Sequence, residues 1–105
     1  MKFEYFKTAK GRAPYIEWFE SLEDRVQYTI DNYLHRILFG GSKKNVKHIF
    51  DEIYEIKIHI GPGHRIYFAK VDESVILLIT GGDKRTQNRD IEKAIEYWRD
   101  YGKKK

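Results

Sequence analysis

The stretch that decides the fold is residues 53–84, which read IYEIKIHIGPGHRIYFAKVDESVILLITGGDK. In residues 54–60 an apolar side chain takes every second position, which is the pattern of a half-buried β-strand. The turn sequence Gly-Pro-Gly follows at 61–63, and β-branched and aromatic residues dominate positions 64–71. The two apolar segments and the turn between them predict an antiparallel β-hairpin.

A three-residue loop at 61–63 predicts the register of this hairpin, because it places Ile58 opposite Ile66 and His59 opposite Arg65. Cross-strand partners share a face of the sheet. The apolar face then carries Ile56, Ile58, Ile66 and Phe68, and the polar face carries Lys57, His59, Arg65 and Tyr67. A slip of one residue would mix the two sets. We therefore expect the apolar face to be buried against helices and the polar face to point away from them.

The other segments complete an α+β fold with the element order β-α-α-β-β-β-α. They comprise a strand at 2–8, a helix that begins at Pro14, a second helix capped by Ser21 and ended by Gly40-Gly41, a loop at 40–50, a central strand at 74–80 ended by Gly81-Gly82, and a last helix capped by Thr86. The prediction is a small, mostly antiparallel sheet with an N-terminal helical hairpin and a C-terminal helix. We expect one domain over residues 1–105.

Composition narrows the function classes. The chain has 105 residues, a net charge of +4 and no cysteine, which excludes disulfides, thiolate metal sites and a thiol nucleophile. A mildly basic chain favours a polyanionic partner. The charged N-terminal segment does not resemble a signal peptide, and the longest aliphatic run, Val75–Ile79, is too short to span a membrane. We expect a cytoplasmic protein without a membrane association.

The polar face of the hairpin carries the candidate chemistry. Residues 56–71 contain no carboxylate, so the face predicts an anion site and neither a metal site nor a cofactor site. Arg65 and Lys57 can bind phosphate, while Tyr67 and His59 can stack on bases. The same groups suit RNA cleavage, with His59 as proton carrier and Arg65 as the clamp on the transition state. An ordinary solvated strand face is the alternative interpretation.

Two further basic segments have two interpretations each. The loop at 40–50 contains Lys43, Lys44 and Lys47 without an acid, which is typical of a solvated loop or of a nucleic-acid contact. The lysines at 103–105 are typical of a frayed, solubilising tail.

The run YEIKIHIGPGHRIYF, followed by VILLITGGDKRTQNRDIEKA, resembles the RelE/ParE superfamily of toxins from bacterial type II toxin–antitoxin modules. The similarity is strongest to the phage-derived branch of addiction-module killer proteins, or HigB-like toxins. It covers nearly the whole chain and includes Pro14, Trp18 and Phe19 at the start of the first helix. The motifs that carry it are E-x-K, G-x-G-x-R-x-Y and G-G-D-K-x-T-Q.

The resemblance implies a sheet with helices packed on one side, a concave basic face and cleavage of mRNA on the ribosome through 2′-hydroxyl attack. It places Arg65, Lys57 and Lys84 at the family's basic positions, and it makes Arg85 and Lys70 candidate RNA contacts. Arg65→Ala is then expected to abolish toxicity and to leave the fold intact. The family's catalytic Tyr or His near the C-terminus has no match here, and we interpret Tyr97 and Tyr101 as packing residues.

Two other functions stay open. ParE-like members of the superfamily inhibit DNA gyrase by binding, and a plain RNA-binding module would hold a message without cutting it. The resemblance also implies a cognate antitoxin, a helix-turn-helix protein encoded by a neighbouring gene. We expect it to cover the basic face around Lys57 and Lys84, with the helical hairpin at 14–39 as the alternative surface.

Overall fold

The computed structural model describes residues 2–38, 40 and 44–103, so Gly41, Lys43 and the last two lysines of the tail lie outside the described residues. The elements are β1 (Lys2–Tyr5), α1 (Pro14–Glu20), α2 (Asp24–Leu38), β2 (Val46–Phe50), β3 (Ile53–Ile58), β4 (His64–Asp72), β5 (Val75–Asp83), a 3₁₀ turn (Lys84–Thr86) and α3 (Gln87–Lys103). The α+β class, the helical hairpin and the C-terminal helix are confirmed. One strand was missed, because β2 occupies part of the segment expected to be a loop.

The five strands form one sheet in the order β1-β5-β4-β3-β2. β1 pairs in parallel with β5, and the other neighbouring strands are antiparallel. β5 lies between β1 and β4 and is buried from Val75 to Gly82. β5 is therefore an interior strand of the sheet, as expected.

Helices cover both faces of the sheet, not one. The residues Val26, Ile30 and Leu34 follow at steps of four along α2, so they form one stripe that packs on the first face together with α1. Ile56, Ile58, Ile66 and Phe68 of the predicted apolar face lie in this core. α3 packs on the second face over Tyr67 and Ala69. The expectation of a second face that points away from the helices is wrong, because the stripe of α3 needs an apolar surface to bury it.

The register of the β3–β4 hairpin differs by two residues from the prediction. Lys57 pairs with Arg65, Ile56 with Ile66 and Ile58 with His64. The connection therefore spans residues 59–63, where Gly61 and Gly63 take positive φ values of 57° and 87°. A shift of two keeps every side chain on its face, so the division into faces survives the change in register.

Gly81 and Gly82 do not end the central strand, since β5 continues through them to Asp83. A Cβ on Gly81 would overlap the ring of Trp18 in α1, and a Cβ on Gly82 would overlap the carboxylate of Asp90 in α3. The two glycines therefore let one helix approach the strand on each face.

The helix caps also differ in part. Ser21 is the C-cap of α1, where its hydroxyl donates to the Trp18 carbonyl, and not the N-cap of α2. Asp83 caps the 3₁₀ turn and accepts from the backbone N–H groups of Arg85 and Thr86. Thr86 lies directly before α3, as predicted, and its hydroxyl donates to the carboxylate of Asp90.

Candidate functional site

Lys57 and Arg65 form the centre of the candidate site. They face each other across β3 and β4, and Arg65 in turn pairs with Gly82 of β5. The row of three residues lies at the end of the sheet where α3 begins. Lys57 is exposed, whereas Arg65 is only 6% exposed. The structure therefore brings the two predicted cations together but presents only one of them to solvent.

Glu55 is the partner that holds Arg65 inside the protein. Arg65 Nε lies 3.8 Å from Glu55 Oε2, and both side chains are more than nine-tenths buried. The amide of Gln87 donates to the same carboxylate oxygen at 2.9 Å and so ties the first turn of α3 to β3. The buried atoms Nε and Nη1 of Arg65 make no hydrogen bond to the residues that the structure describes. Such buried donors are uncommon in folded proteins and favour a functional role.

Tyr67 is fully buried beneath α3 and next to this pair. Burial raises the pKa of its phenol, and the negative charge of Glu55 raises it further. Its hydroxyl is also buried and makes no hydrogen bond within the described part of the chain. In this conformation the ring of Tyr67 is closed to a stacking base, so the structure does not place it as an open RNA platform.

His59 and His64 lie in different surroundings. His59 follows the end of β3, is exposed and does not pair with Arg65, which corrects the predicted cross-strand pair. His64 lies on the α1 side, where its ring is buried beside Trp18 and its Nδ1 is 3.1 Å from the Ile60 carbonyl oxygen. The five-residue connection explains the error, because it carries His59 out of the strand.

Lys84 and Arg85 lie at the same end of the sheet, directly after β5. With Thr86, Gln87, Asn88 and Arg89 they line a shallow depression of about 330 Å³ at the start of α3. Arg85 Nη2 lies 3.0 Å from Asp83 Oδ2, and the hydrogen bond from Arg85 lowers the pKa of Asp83. The cations Lys84, Arg85 and Arg89 lie beside the N-terminus of α3 and form a surface that suits phosphate groups.

Lys70 is separate from this group. It follows Phe68 on the α1–α2 side of β4 and lines a cavity with Ile37 and Val46. The structure thus collects Lys57, Arg65, Lys84 and Arg85 at one end of the sheet, and it places Lys70 on the opposite face.

Glu55 and Gln87 are the residues that sequence reasoning missed. Glu55 lies just outside the acid-free stretch, and it shares a strand face with Lys57 because the two are two residues apart. That spacing was a usable signal. The contact between Glu55 and Gln87 joins β3 to α3 and has no sequence signal, because it depends on the face that α3 covers.

Asp90 is a further acid at this site and is half-buried. Its carboxylate lies over Gly82, and burial raises its pKa. Among the described residues, no group of three or more His, Cys, Asp or Glu side chains is placed to hold a metal ion. No helix in the described ranges is long and apolar enough to span a membrane.

Two comparisons place the chain among known proteins. The family model "Phage derived protein Gp49-like (DUF891)" matches residues 17–99. An uncharacterized protein of Haemophilus influenzae is 33% identical over 86 residues, which cover 81% of this chain and 86% of that protein. The family model covers the end of α1, all of α2, the whole β3–β4–β5 unit and most of α3. The chain therefore belongs to the phage-derived Gp49-like family, whose members are often toxin-like proteins of addiction modules.

Proposed function

We propose that this protein is the toxin of a type II toxin–antitoxin module and a HigB-like member of the RelE/ParE superfamily. Its activity is cleavage of mRNA on the ribosome, which stops translation in the cytoplasm. The observation that carries the proposal is the pairing of Lys57 with Arg65 at one end of the sheet. Lys84 and Arg85 lie at the same end, directly before α3. A message that lies along this edge would meet cations on both sides of β4.

The proposed reaction is metal-independent attack of a ribose 2′-hydroxyl on the neighbouring phosphate, which leaves a 2′,3′-cyclic phosphate and a free 5′-hydroxyl. Arg65 stabilises the charge that develops on the phosphate, and Glu55 fixes the direction of its guanidinium. Lys57, Lys84 and Arg85 bind the backbone of the message. His59 moves the proton, because its imidazole is exposed two residues after Lys57 and can both accept and donate a proton.

Burial of Arg65 adds a condition to this mechanism. The buried atoms Nε and Nη1 can reach a phosphate only if the Arg65 side chain or the first turn of α3 moves. The hydrogen bond from Gln87 to Glu55 is the contact within the described residues that holds this turn against β3. We propose that binding of the message on the ribosome breaks this hydrogen bond. Tyr67 then packs beneath the Arg65 side chain.

The test is end-group analysis of messages on programmed ribosomes, with a normal message and one that carries a single 2′-deoxy nucleotide at the cleavage position. The normal message should be cut and the 2′-deoxy message should stay intact. Lys57→Ala should slow cutting by roughly 10–100-fold at limiting message concentration, because the message backbone loses one charge-assisted contact worth about 1.5–3 kcal/mol. Lys10→Ala, an exposed lysine in the turn before α1, is the matched control and should cut normally.

The other outcomes assign the protein to another class. Cutting of the 2′-deoxy message would refute the mechanism. Inhibition of DNA supercoiling by gyrase, without cutting of either message, would assign the protein to the ParE-like class. A message that is bound but uncut would identify a non-catalytic RNA-binding module.

A further inference from the structure

A groove with an apolar floor lies on the face of the sheet opposite the candidate site. Ile37, Val46, Tyr54, Phe68 and Lys70 line a cavity of about 140 Å³ between the end of α2 and strands β2 to β4. This volume is close to that of the engineered cavity of roughly 150 Å³ that holds benzene, so it has room for one apolar side chain.

A second cavity of about 290 Å³ continues the first one, because Ile37 and Val46 line both. Its wall includes Tyr33, Arg36 and Lys44. The guanidinium of Arg36 lies over the ring of Tyr33, 5.5 Å from its centroid, and this stacking orients the charge. We call the two cavities together the α2–β2 groove.

Cations line both cavities of the groove. Lys70 lines the first cavity and Arg36 the second, and both are exposed. Lys70 makes no ion pair with a residue that the structure describes. An occupant that matches this pattern carries an apolar group between negative charges.

The aromatic rings of the groove distinguish a protein occupant from RNA. Tyr54 and Phe68 stack on each other, with centroids 5.5 Å apart and an interplanar angle of 21°. His48 meets Tyr54 edge-on at 5.3 Å. The faces of these rings are therefore covered by one another, and Phe68 is only 3% exposed. The rings do not form the open platform on which bases stack. An apolar cavity beneath them instead suits a peptide side chain.

We propose that the α2–β2 groove is the docking site for an acidic, amphipathic segment of a protein partner. An apolar side chain of that segment sits among Ile37, Val46 and Phe68, and carboxylates on either side of it meet Arg36 and Lys70. The identity of the partner as the antitoxin rests on the proposed function, whereas the groove and its charges do not. The antitoxin would then bind away from Lys57 and Lys84 and on the side of the helical hairpin.

The experiment measures binding between this protein and the product of the neighbouring gene by surface plasmon resonance at several salt concentrations. Arg36→Glu with Lys70→Glu should weaken the complex by about tenfold or more, mainly through slower association, and should reduce its dependence on salt. Lys10→Glu with Arg25→Glu is the matched control, because these exposed cations lie away from the groove. The control should bind within about twofold of the wild type. Melting temperatures confirm that both double variants are folded.

Each outcome of the binding experiment either supports or overturns the proposed docking site. Unchanged affinity of the Arg36→Glu/Lys70→Glu variant would overturn the proposal. So would a loss of affinity for a labelled single-stranded RNA without a loss of affinity for the partner, since this would make the groove an RNA surface. Translation arrest by the wild-type protein is measured separately in a cell-free system. Its absence would refute the proposed function, while weaker partner binding by the groove variant would still support the docking site.

Discussion

The two faces of one sheet are built from different chemistry. Beneath α1 and α2 the core is apolar except for the buried hydroxyl of Tyr15 and for His64 at its edge, and it holds no ion pair among the described residues. Beneath α3 the core also holds the pair of Glu55 and Arg65 and the hydroxyl of Tyr67. Burial of an ion pair is weak evidence for stability, because desolvation opposes the attraction between its charges. We infer from this difference that the first face contributes more to stability, and that the second face keeps a buried ion pair beside the site proposed for cleavage.

The comparison predicts its largest effect on the first face. Ile66 is fully buried under the helical hairpin, so Ile66→Ala should lower the free energy of unfolding by roughly 2–5 kcal/mol through lost burial and a cavity. Ile49→Ala in the edge strand β2 is the control and should cost less, because Ile49 is only half-buried. Urea denaturation measures both. Equal losses would show that the first face is not the main source of stability.

On the second face, Arg65→Met should cost about 3 kcal/mol, because it leaves the Glu55 carboxylate buried without a cation. The earlier expectation that loss of Arg65 leaves the fold intact is therefore revised. Adding Glu55→Gln should restore much of the lost stability, since the remaining side chains are neutral. Denaturation of the two single variants and the double variant gives the coupling between the residues. Additive losses would mean that Glu55 does not hold Arg65.

Gly81 and Gly82 of β5 allow the two faces to be compared within one strand, because Gly81 faces α1 and Gly82 faces α3. Gly81→Ala should cost about 1–3 kcal/mol, because the new methyl group overlaps the rigid ring of Trp18 and not the end of a flexible side chain. Gly82→Ala should cost less if the end of the Asp90 side chain can turn away from the new methyl group. The fluorescence of Trp18, measured in a Trp98→Phe background, should shift for the first variant alone. A shift for both would place the clash elsewhere.

The smallest effect concerns Asp83 at the entrance to α3. Asp83→Ala should cost about 1 kcal/mol through loss of the cap. The hydrogen bond from Arg85 lowers the pKa of Asp83 in the folded protein, so its charge stabilises the fold above the unfolded pKa of about 3.9. This contribution is lost as the pH falls through the folded pKa.

Asp83→Asn separates this charge from the cap, because its amide oxygen can still accept the two backbone hydrogen bonds. The melting temperature of Asp83→Asn should lie below that of the wild type at pH 7 and should approach it as the pH falls below the ordinary pKa of an aspartate. A constant difference across this range would exclude the charge of Asp83 as the cause.

The division of the hairpin into two faces could be predicted from the sequence, because a period of two assigns each side chain to a side. The register could not, because a shift of two residues leaves that assignment unchanged. The observed register removes His59 from the strand and makes Arg65, not Tyr67, the partner of Lys57.

The burial of Arg65 had no local sequence signal. The apolar stripe of α3 predicts a helix with a buried side, but the choice of sheet face depends on contacts such as Gln87 with Glu55. β2 was also missed, because an edge strand with Lys47 and His48 exposed has little apolar periodicity. As expected of packing residues, Tyr97 and Tyr101 of α3 are partly buried and pack against the core of the second face.

The parallel pairing of β1 with β5 also determines how late in synthesis the sheet can be completed. Lys2 lies beside Val75, so the first strand has no partner in the sheet until most of the chain has been synthesised. Contacts between such distant residues slow folding, because a long loop must close before they form. The helical hairpin and the β3–β4 hairpin can form earlier from local contacts. In a growing chain β1 therefore stays unpaired until β5 has been made. The residues of the candidate site that follow β5 are made later still, so the site cannot be complete until synthesis is nearly finished.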